Sequence, residues 1–169
     1  MAKKKQKKND PKQLPLLMEV LYDQRFLESH VGPQILHDPK TAIVELIANA
    51  WDAGATKVGI TWPDGKGTRK FAIEDNGSGM TAEEFKHRWR MLSYNRQHEQ
   101  GPKAEWPDDV ADKQRERLAF GRNGIGRWSG FCFGETYVVD TCKKGLRNRY
   151  SVARGMDKPF EITQKVVNA

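Results

Sequence analysis

The sequence predicts an α+β fold in which helices are interspersed with antiparallel pairs of strands. Three observations support this prediction. Residues 38–54 show a capped helical pattern, and residues 56–74 and 135–153 each show two strand patterns joined by a turn that contains glycine. The chain of 169 residues fits a single domain and contains no internal repeat.

The helix over 38–54 has signals at both of its ends. Asp38 suits the N-cap, Pro39 suits the first helical position, and Gly54 suits the left-handed residue after a helix end. Between these ends, apolar residues recur at i, i+3, i+4 and i+7, which is the stripe of a helix that faces a core. The predicted core-facing residues are Ile43, Leu46, Ile47 and Ala50.

Two hairpins are predicted on either side of a long polar stretch. The first pairs strands at 56–62 and 69–74 around the turn 63–67. The second pairs strands at 135–141 and 147–153 around a Lys-Gly turn.

Weaker patterns predict the remaining elements. An apolar helical pattern covers residues 14–30, and Thr81 with Glu84 forms a capping box that begins another helix. A short helix is expected over 108–118 and a final strand over 160–167.

The net charge of +7 is concentrated at the start of the chain. Residues 1–12 contain six lysines and one acidic residue, which leaves 23 basic and 21 acidic side chains in the rest. A short block of like charge is typical of a disordered arm, so residues 1–13 are predicted to be a solvated basic tail. Such a tail can add salt-sensitive phosphate contacts, which makes nucleic acid a candidate partner.

Hydropathy and cysteine content argue against the membrane and disulfide-rich classes. No apolar run approaches the roughly 20 residues that cross a bilayer, and no signal-peptide stretch follows the lysines. We therefore expect a soluble, cytoplasmic protein that does not engage a membrane. Cys132 and Cys142 are too few for a zinc site or a disulfide framework, and we interpret them as buried reduced thiols.

Three polar residues share one face of the predicted helix beside its apolar stripe. Glu45, Asn49 and Asp52 lie at i, i+4 and i+7. The ordinary interpretation of this spacing is a solvated face. A carboxylate one turn from a carboxamide also suits metal-assisted hydrolysis, because the amide oxygen can ligate a hard cation and the carboxylate can orient a water.

The first glycine cluster, residues 75–80 with the sequence DNGSGM, ends a predicted strand. Glycines at such a point permit close approach of backbone to a ligand, and a carboxylate there can accept a hydrogen bond from an exocyclic amine. An ordinary Asn-Gly turn is the alternative interpretation of the same residues.

The second glycine cluster, residues 121–127 with the sequence GRNGIGR, leads into an apolar segment. Successive N–H groups at a helix start bind anions, and Arg122 and Arg127 would add positive charge. A flexible connector is the alternative. A P-loop is excluded because no Gly-Lys-Ser/Thr follows, and a Rossmann site is disfavoured because the cluster does not open a βαβ unit.

The three pieces occur together and in one order, and at this point the sequence resembles a known family. ELIANAWDAGA at 45–55 is similar to the N-box of GHKL ATPases, and residues 75–80 and 121–126 are similar to their two glycine boxes. The likeness is greatest to MutL, MORC and ninety-kilodalton heat-shock chaperone N-terminal domains. It covers roughly residues 38–153 and implies a two-layer sandwich, in which helices cover one face of a mixed, mostly antiparallel sheet.

The resemblance implies a role for each matching residue. Glu45 would be the general base, Asn49 would ligate Mg²⁺, Asp75 would bind the adenine amino group of ATP, and Asp52 would support the adenine end. Residues 81–120 would form a lid over the nucleotide. The other residues expected to contact the nucleotide are Gly77, Gly79, Met80, Gly121, Arg122, Asn123, Gly124, Ile125 and Gly126.

The function implied is that of an ATPase switch. ATP binding would close the lid and promote dimerisation of N-terminal domains, and slow Mg²⁺-dependent hydrolysis would reset the state. Family members also use a lysine or arginine from a following domain, a Gly-Thr strand, and often a lysine after a lid serine. None of these is recognisable here, so we expect residues 14–169 to be the ATP-binding part of a longer protein, with Arg96 as a candidate substitute for the lid lysine.

Other functions stay compatible with the sequence. One is a nucleotide-gated binding module with negligible hydrolysis, in which ATP occupancy alone shifts the conformation. A histidine kinase is disfavoured because Glu45 is present and neither His30 nor His37 lies in a phosphoacceptor motif. Roles in DNA repair or topology, as a chaperone, or in phage defence are equally compatible.

Overall fold

The computed structural model describes residues 25–108, 116–122, 124–155 and 160–165. The predicted tail 1–13, most of the predicted helix 14–30 and Asn123 lie outside these ranges, as does most of the predicted helix 108–118. The helices are α1 (Phe26–Val31), α2 (Pro33–His37), α3 (Pro39–Asp52), α4 (Ala82–Arg90) and α5 (Arg96–Gln100), with a 3₁₀-helix, η1 (Gly126–Cys132). The strands are β1 (Val58–Thr61), β2 (Ala72–Asp75), β3 (Thr136–Lys143), β4 (Leu146–Ala153) and β5 (Glu161–Lys165).

The described strands form two antiparallel sheets. In the first sheet β1 pairs with β2, and in the second β4 lies between β3 and β5. Val139 is opposite Tyr150, which is in turn opposite Gln164. The predicted α+β class is confirmed, as are both hairpins. In the first turn the Asp64 carboxylate accepts hydrogen bonds from three successive backbone N–H groups, which closes the loop.

Helix α3 begins and ends at its sequence signals. The Asp38 side chain accepts hydrogen bonds from the backbone N–H of Lys40 at 3.1 Å and from the Thr41 hydroxyl at 2.7 Å. Pro39 is the first helical residue, and Gly54 follows the end of the helix with a φ of 72°. This positive φ is the left-handed conformation that glycine adopts without steric penalty.

One member of the predicted apolar stripe does not face the core. Ile47 is 37% exposed, and the apolar side chains of Val44 and Trp51 lie exposed on the same side of α3. The residues that α3 buries are small instead, notably Ala42 and Ala50, and η1 packs against this helix. Small side chains permit a close approach of two helices, so the helical periodicity identified the element but misassigned part of its inner face.

The hydrophobic core joins helices from both halves of the chain to the second sheet. Phe85 of α4 stacks on Tyr150 of β4 with ring centroids 3.6 Å apart, and it also stacks on Trp89. The capping box predicted for α4 is present, with Thr81 and Glu84 bonded reciprocally. The fully or largely buried members of the core are Val31, Ile35, Leu36, Phe85, Trp128, Phe131, Tyr150 and Val152.

The polar segment after α4 returns to the C-terminal end of α3. It contains α5, which the sequence patterns did not predict, and a bridge between Lys103 and Leu118. Residues 116–118 are therefore not helical where the helix 108–118 was expected to end. The indole N–H of Trp51 donates to the Leu118 carbonyl at 2.9 Å, and the Arg117 guanidinium lies over the Trp51 ring at 4.1 Å.

Two expectations from composition concern membranes and thiols. Within the described part of the chain, no helix has the length and apolar character needed to span a bilayer. Both cysteines are free, but Cys142 is exposed and Cys132 is only half-buried, so the prediction of two buried thiols is wrong. The Cys142 side chain lies on the exposed face of β3, because successive side chains of a strand alternate between its two faces.

Candidate functional site

The three predicted motifs meet along one helix. Near the middle of α3, a Glu45 carboxylate oxygen lies 2.5 Å from the position that a Cβ on Gly126 would occupy. Near the end of the helix, a carboxylate oxygen of Asp52 lies 2.8 Å from the position that a Cβ on Gly121 would occupy. The Cβ of Ala53 lies 2.7 Å from the position that a Cβ on Gly77 would occupy. About 10 Å of helix axis separates Glu45 from Asp52, at about 1.5 Å per residue. Both glycine clusters therefore pack against the polar face of α3.

Asp52 is buried and holds the start of the second glycine cluster. Its two carboxylate oxygens accept hydrogen bonds from the backbone N–H groups of Phe120 at 2.6 Å and Gly121 at 2.9 Å. The Arg96 Nε atom lies 3.4 Å from the same carboxylate. In this arrangement the Asp52 carboxylate is engaged by the chain itself and positions a backbone segment. That it supports the adenine end stays a prediction.

Glu45 is half-buried against the first turn of η1. No cation lies near enough to be paired with its carboxylate among the described residues. Burial, and secondarily the negative charge of Asp52, raises the pKa of Glu45 above its usual value. A carboxylate with a raised pKa beside a backbone bend is able to accept a proton from a water held there.

Asn49 lies one turn after Glu45 on the same face of α3, and its side chain is exposed. Its carboxamide forms no hydrogen bond to other described residues, so it is available to a ligand. The backbone carbonyl of Asn49 accepts from the N–H of Ala53 at 3.0 Å, which continues the helix to its end.

The first glycine cluster forms a tight bend at the end of β2. Asp75 is exposed, and its Oδ1 atom accepts a hydrogen bond from the N–H of Gly77 at 2.8 Å. Asn76 turns back to β1, where its Oδ1 accepts from the N–H groups of Thr56 and Lys57. The N–H of Ser78 donates to the Ala53 carbonyl at 2.7 Å. These bonds fix the Asp75 carboxylate beside the end of α3.

Gly79 and Met80 connect this bend to β3. Gly79 has a φ of 63°, and a Cβ at this position would lie 2.0 Å from the Cys142 carbonyl oxygen. The N–H of Met80 donates to the buried Thr141 hydroxyl at 2.8 Å, and its side chain packs on the core. The glycine at position 79 is therefore required by contact within the protein, whether or not a ligand also approaches it.

The second glycine cluster lies between α3 and the polar segment. A Cβ on Gly124 would lie 2.5 Å from the Tyr94 carbonyl oxygen, and Gly126 begins η1. Ile125 packs partly on the core, whereas the Arg122 side chain is exposed. The position of Asn123 falls outside the described residues.

Arg127 does not add positive charge to the cluster in the way the sequence suggested. It is buried, and its guanidinium donates to the backbone carbonyls of Arg88 and Met91 at the end of α4. Burial lowers the pKa of Arg127 to about 10. Arg96, the candidate lid cation, is also buried and donates to the Lys103 carbonyl at 2.9 Å in addition to its contact with Asp52. Through these contacts, both arginines hold the polar segment after α4 in place.

Sequence reasoning missed the side chains that hold these loops. No local pattern marks Thr141, because its hydrogen bond is to the backbone of Met80, 61 positions earlier in the chain. Tyr94 is buried next to Gly124, although it lies in a polar stretch. Arg96 was noticed, but its charge suggested a ligand, and its true neighbour is a carboxylate that sequence spacing does not reveal.

The geometry unites a half-buried carboxylate, a free carboxamide and two glycine-rich bends around one helix face. This is the combination of parts found in a nucleotide site, in which backbone N–H groups and an oxygen ligand meet phosphates and metal. Residues 37–164 match the family model described as histidine kinase-, DNA gyrase B- and HSP90-like ATPase. The chain belongs to this family. GHKL-type domains of this family bind ATP, and the two-layer α+β fold is the one that the family implies.

Relatives of the chain include proteins named for actions on DNA. A candidate type II restriction enzyme, HgiDII of Herpetosiphon aurantiacus, is 29% identical over 112 residues, which are 66% of this chain and 16% of the relative. The DNA mismatch repair protein MutL of Bradyrhizobium sp. (strain ORS 278) is 47% identical over 49 residues, or 29% of this chain and 8% of the relative. MutL of Phenylobacterium zucineum is 41% identical over 52 residues, or 31% of this chain and 8% of the relative. The chain thus spans a small fraction of the length of these relatives.

Proposed function

We propose that the chain binds Mg²⁺-ATP along the polar face of α3 and hydrolyses it slowly. The observation that carries this proposal is the contact between the Glu45 carboxylate and the Gly126 backbone, where the second glycine cluster becomes η1. In this arrangement a water beside Glu45 would face phosphates that the glycine cluster holds. Catalysis would rest on positioning and charge neutralisation, as in other phosphoryl transfers.

Asp75 is suited to hold the base of the nucleotide. Its Oδ1 atom is occupied by the N–H of Gly77, and Oδ2 has no partner among the residues that the structure describes. We propose that Oδ2 accepts a hydrogen bond from the adenine amino group. Gly77, Gly79 and Met80 would then line the bend on which the base rests.

The magnesium ion would be held mainly by the nucleotide. Within the described ranges, no group of three or more His, Cys, Asp or Glu side chains is arranged to hold a metal. Mg²⁺ typically takes one or two protein ligands and completes its shell with phosphates and water. The free carboxamide of Asn49 fits the place of the protein ligand.

The part of the predicted lid that moves would begin after α4. Phe85 of α4 is 1% exposed and belongs to the core, so α4 is not free to swing over a ligand. The described residues of the segment after α4, 91–108 and 116–120, are held to α3 mainly by Asp52, Trp51 and the chain around them. We propose that ATP binding rearranges this segment and that the closed form dimerises through its N-terminal domains.

Substitution of Glu45 tests the hydrolysis that we propose. Phosphate release should fall at least about a hundredfold in Glu45→Ala, while ATP affinity measured by calorimetry with Mg²⁺ stays within about threefold. Glu161→Ala, at an exposed carboxylate on β5, is the matched control and should change neither quantity. If the unchanged chain binds ATP without measurable turnover, the domain is a nucleotide-gated binding module. If it binds no adenine nucleotide, the proposal is wrong.

A role on DNA is the second function that we propose, since the relatives include a mismatch repair protein and a candidate restriction enzyme. The lysine-rich residues 1–12 would supply sequence-independent phosphate contacts. Binding of duplex DNA should weaken steeply with salt and should be lost when the six lysines of this tail are replaced by glutamine. Affinity that is unchanged in that variant would exclude the tail as the DNA contact.

A further inference from the structure

The second sheet has one face that packs on the core and one open face. Tyr150 and Val152 of β4 are buried in the core. Successive side chains of a strand alternate between its two faces, so Arg149 lies on the side opposite to theirs. On β3, every second residue from Thr136 to Cys142 is exposed on this open face.

One carboxylate on the open face holds two arginines. The Oδ1 atom of Asp140 accepts a hydrogen bond from Arg147 Nε at 2.7 Å, and Oδ2 accepts from Arg147 Nη2 and from Arg149. The hydrogen bonds from Arg147, and secondarily those from Arg149, lower the pKa of Asp140 to about 2, so the carboxylate stays ionised. The Nη1 atoms of both arginines have no hydrogen-bond partner in the described part of the chain. Two oriented guanidiniums therefore keep free donors.

Basic residues outnumber acidic ones at this end of the sheet. Lys144 is exposed in the turn between β3 and β4, and Lys165 of β5 pairs with Arg149 in the register. With Asp140, four positive residues and one negative residue give a net formal charge of +3. The basic residues, which we call the basic corner, are Lys144, Arg147, Arg149 and Lys165.

Neighbouring ion pairs and acidic residues leave this excess of charge in place. Lys143 is not counted in it, because its Nζ atom lies 2.7 Å from a carboxylate oxygen of Glu84. Glu161 of β5 is exposed, but it is four residues from Lys165, which is roughly 14 Å along a strand. The basic corner is therefore electropositive and accessible, with the Arg147 and Arg149 side chains 53% and 43% exposed.

The residues beside the basic corner favour a phosphate backbone over a lipid surface. The next row of the open face pairs Val138 with Ser151, and Ser151 with Thr163. Val138 is the one large apolar residue in the described rows of this face, whereas binding to a bilayer surface buries several. Arginine binds phosphate through two N–H donors at once, and serine and threonine hydroxyls contact phosphate oxygens in protein–DNA complexes.

We infer that the basic corner is an interaction surface for the phosphate backbone of duplex DNA, with Arg147 and Arg149 as its main contacts. The inference rests on the proposed role on DNA and adds to the lysine-rich tail a surface of the folded domain. Two phosphate contacts supply little affinity by themselves, so the corner acts together with the tail. The open face is the opposite side of β4 from the core that contains Trp128 of η1, so DNA and nucleotide occupy different places.

Replacement of both arginines tests this surface in the full chain. Binding of a fluorescently labelled DNA duplex would be followed by anisotropy between about 50 and 200 mM salt. Arg147→Gln with Arg149→Gln should weaken binding about tenfold at the lowest salt and should reduce the slope of log affinity against log salt by about 2. Arg69→Gln with Lys70→Gln is the matched control, because it removes two exposed positive charges from the other hairpin. It should change the affinity less than about twofold.

Asp140→Asn separates a DNA contact from a purely structural role of the arginines. This variant breaks the same ion pairs but increases the net positive charge, so DNA should bind as tightly as to the unchanged chain or more tightly. Weakening equal to that of the arginine variant would overturn the inference, because it would show that the ion pairs only maintain the hairpin.

Three further outcomes would also contradict the inference. Full DNA affinity in the arginine variant would exclude the surface, and equal weakening in the control variant would show that only net charge matters. Arginine-dependent binding to phosphatidylserine vesicles, with DNA affinity unaffected, would assign the surface to a membrane. Each of these leaves the tail as a DNA contact. Failure of the unchanged chain to bind DNA would instead overturn the proposed role on DNA, and the inference with it.

Discussion

The two glycine clusters are similar in composition but are held in place by different kinds of contact. Around the first, the bonds to other parts of the chain run between backbone groups and neutral side chains, as in the Ser78 N–H to Ala53 carbonyl bond and the Met80 N–H to Thr141 hydroxyl bond. Among the described residues, the exposed Asp75 carboxylate bonds only locally, to the N–H of Gly77 two residues later. Around the second, the start of the cluster is held by the charged carboxylate of Asp52, which also contacts Arg96.

From this difference we expect the candidate site to have a rigid end at the first cluster and an adjustable end at the second. Neutral bonds to regular elements hold the Asp75 bend in a geometry that depends little on its electrostatic surroundings. A buried carboxylate between a guanidinium and two backbone N–H groups is sensitive to any charge brought nearby, because desolvated charges interact strongly. An arriving triphosphate carries such charge, so we expect the second cluster and the segment attached to it to respond to a ligand, and the first cluster to stay unchanged.

Removal of the Asp52 carboxylate should give the largest loss of stability. In Asp52→Ala, the N–H groups of Phe120 and Gly121 lose their acceptor inside the protein. The buried Arg96 guanidinium keeps its carbonyl acceptors but loses its opposite charge. The free energy of unfolding in urea should fall by about 3–5 kcal/mol. Asp75→Ala is the comparison, because Asp75 is exposed and its loss should cost less than about 1 kcal/mol. Similar losses in the two variants would show that the clusters are held alike.

The bend of the first glycine cluster should be disrupted by adding a side chain at Gly79, and not by a change of charge. Gly79→Ala would place a Cβ 2.0 Å from the Cys142 carbonyl, at a φ of 63°. We expect the free energy of unfolding to fall by about 3 kcal/mol, from the clash and the left-handed conformation together. Gly65→Ala has a φ of 71° and open space around it, so it should cost about 1 kcal/mol. Equal costs at the two positions would mean that the bend shifts away from β3.

A smaller effect is expected where a single neutral hydrogen bond is removed. Thr141→Val leaves the Met80 N–H without its acceptor and should cost about 1–2 kcal/mol in thermal or urea unfolding. The same change at the exposed Thr163 of β5 should stay within about 0.5 kcal/mol. If Thr141→Val also weakens ATP binding strongly, the first cluster is less rigid than its bonding pattern indicates.

The sequence predicted local structure well and long-range contacts poorly. The caps of α3 and α4 and the turn at Asp64 were identifiable, because each depends on residues within a few positions of one another. The exposure of Ile47 was not identifiable from the sequence, since it depends on how closely η1 packs on α3. The contacts of Asp52 were also not identifiable, because the N–H groups that it accepts from lie nearly seventy residues further along the chain. Family resemblance located the candidate site, but the structure was needed to show which side chains hold its loops in place.

The smallest expected effect concerns the pH dependence that Glu45 contributes. Since burial and Asp52 raise the pKa of Glu45 in the folded chain, the folded state binds its proton more tightly than the unfolded state does. The stabilisation is complete below the unfolded pKa and is lost as pH rises through the folded pKa. Glu45→Gln cannot ionise, so between these two values the stability of the variant should fall less with pH than that of the unchanged chain. Urea unfolding at a series of pH values from about 4 to 8 measures this slope. Asp75→Asn is the control, and the stability of this variant should still fall with pH as Glu45 makes it do in the unchanged chain. If stability changes equally with pH in Glu45→Gln and in the unchanged chain, the Glu45 carboxylate is as well solvated as an exposed one.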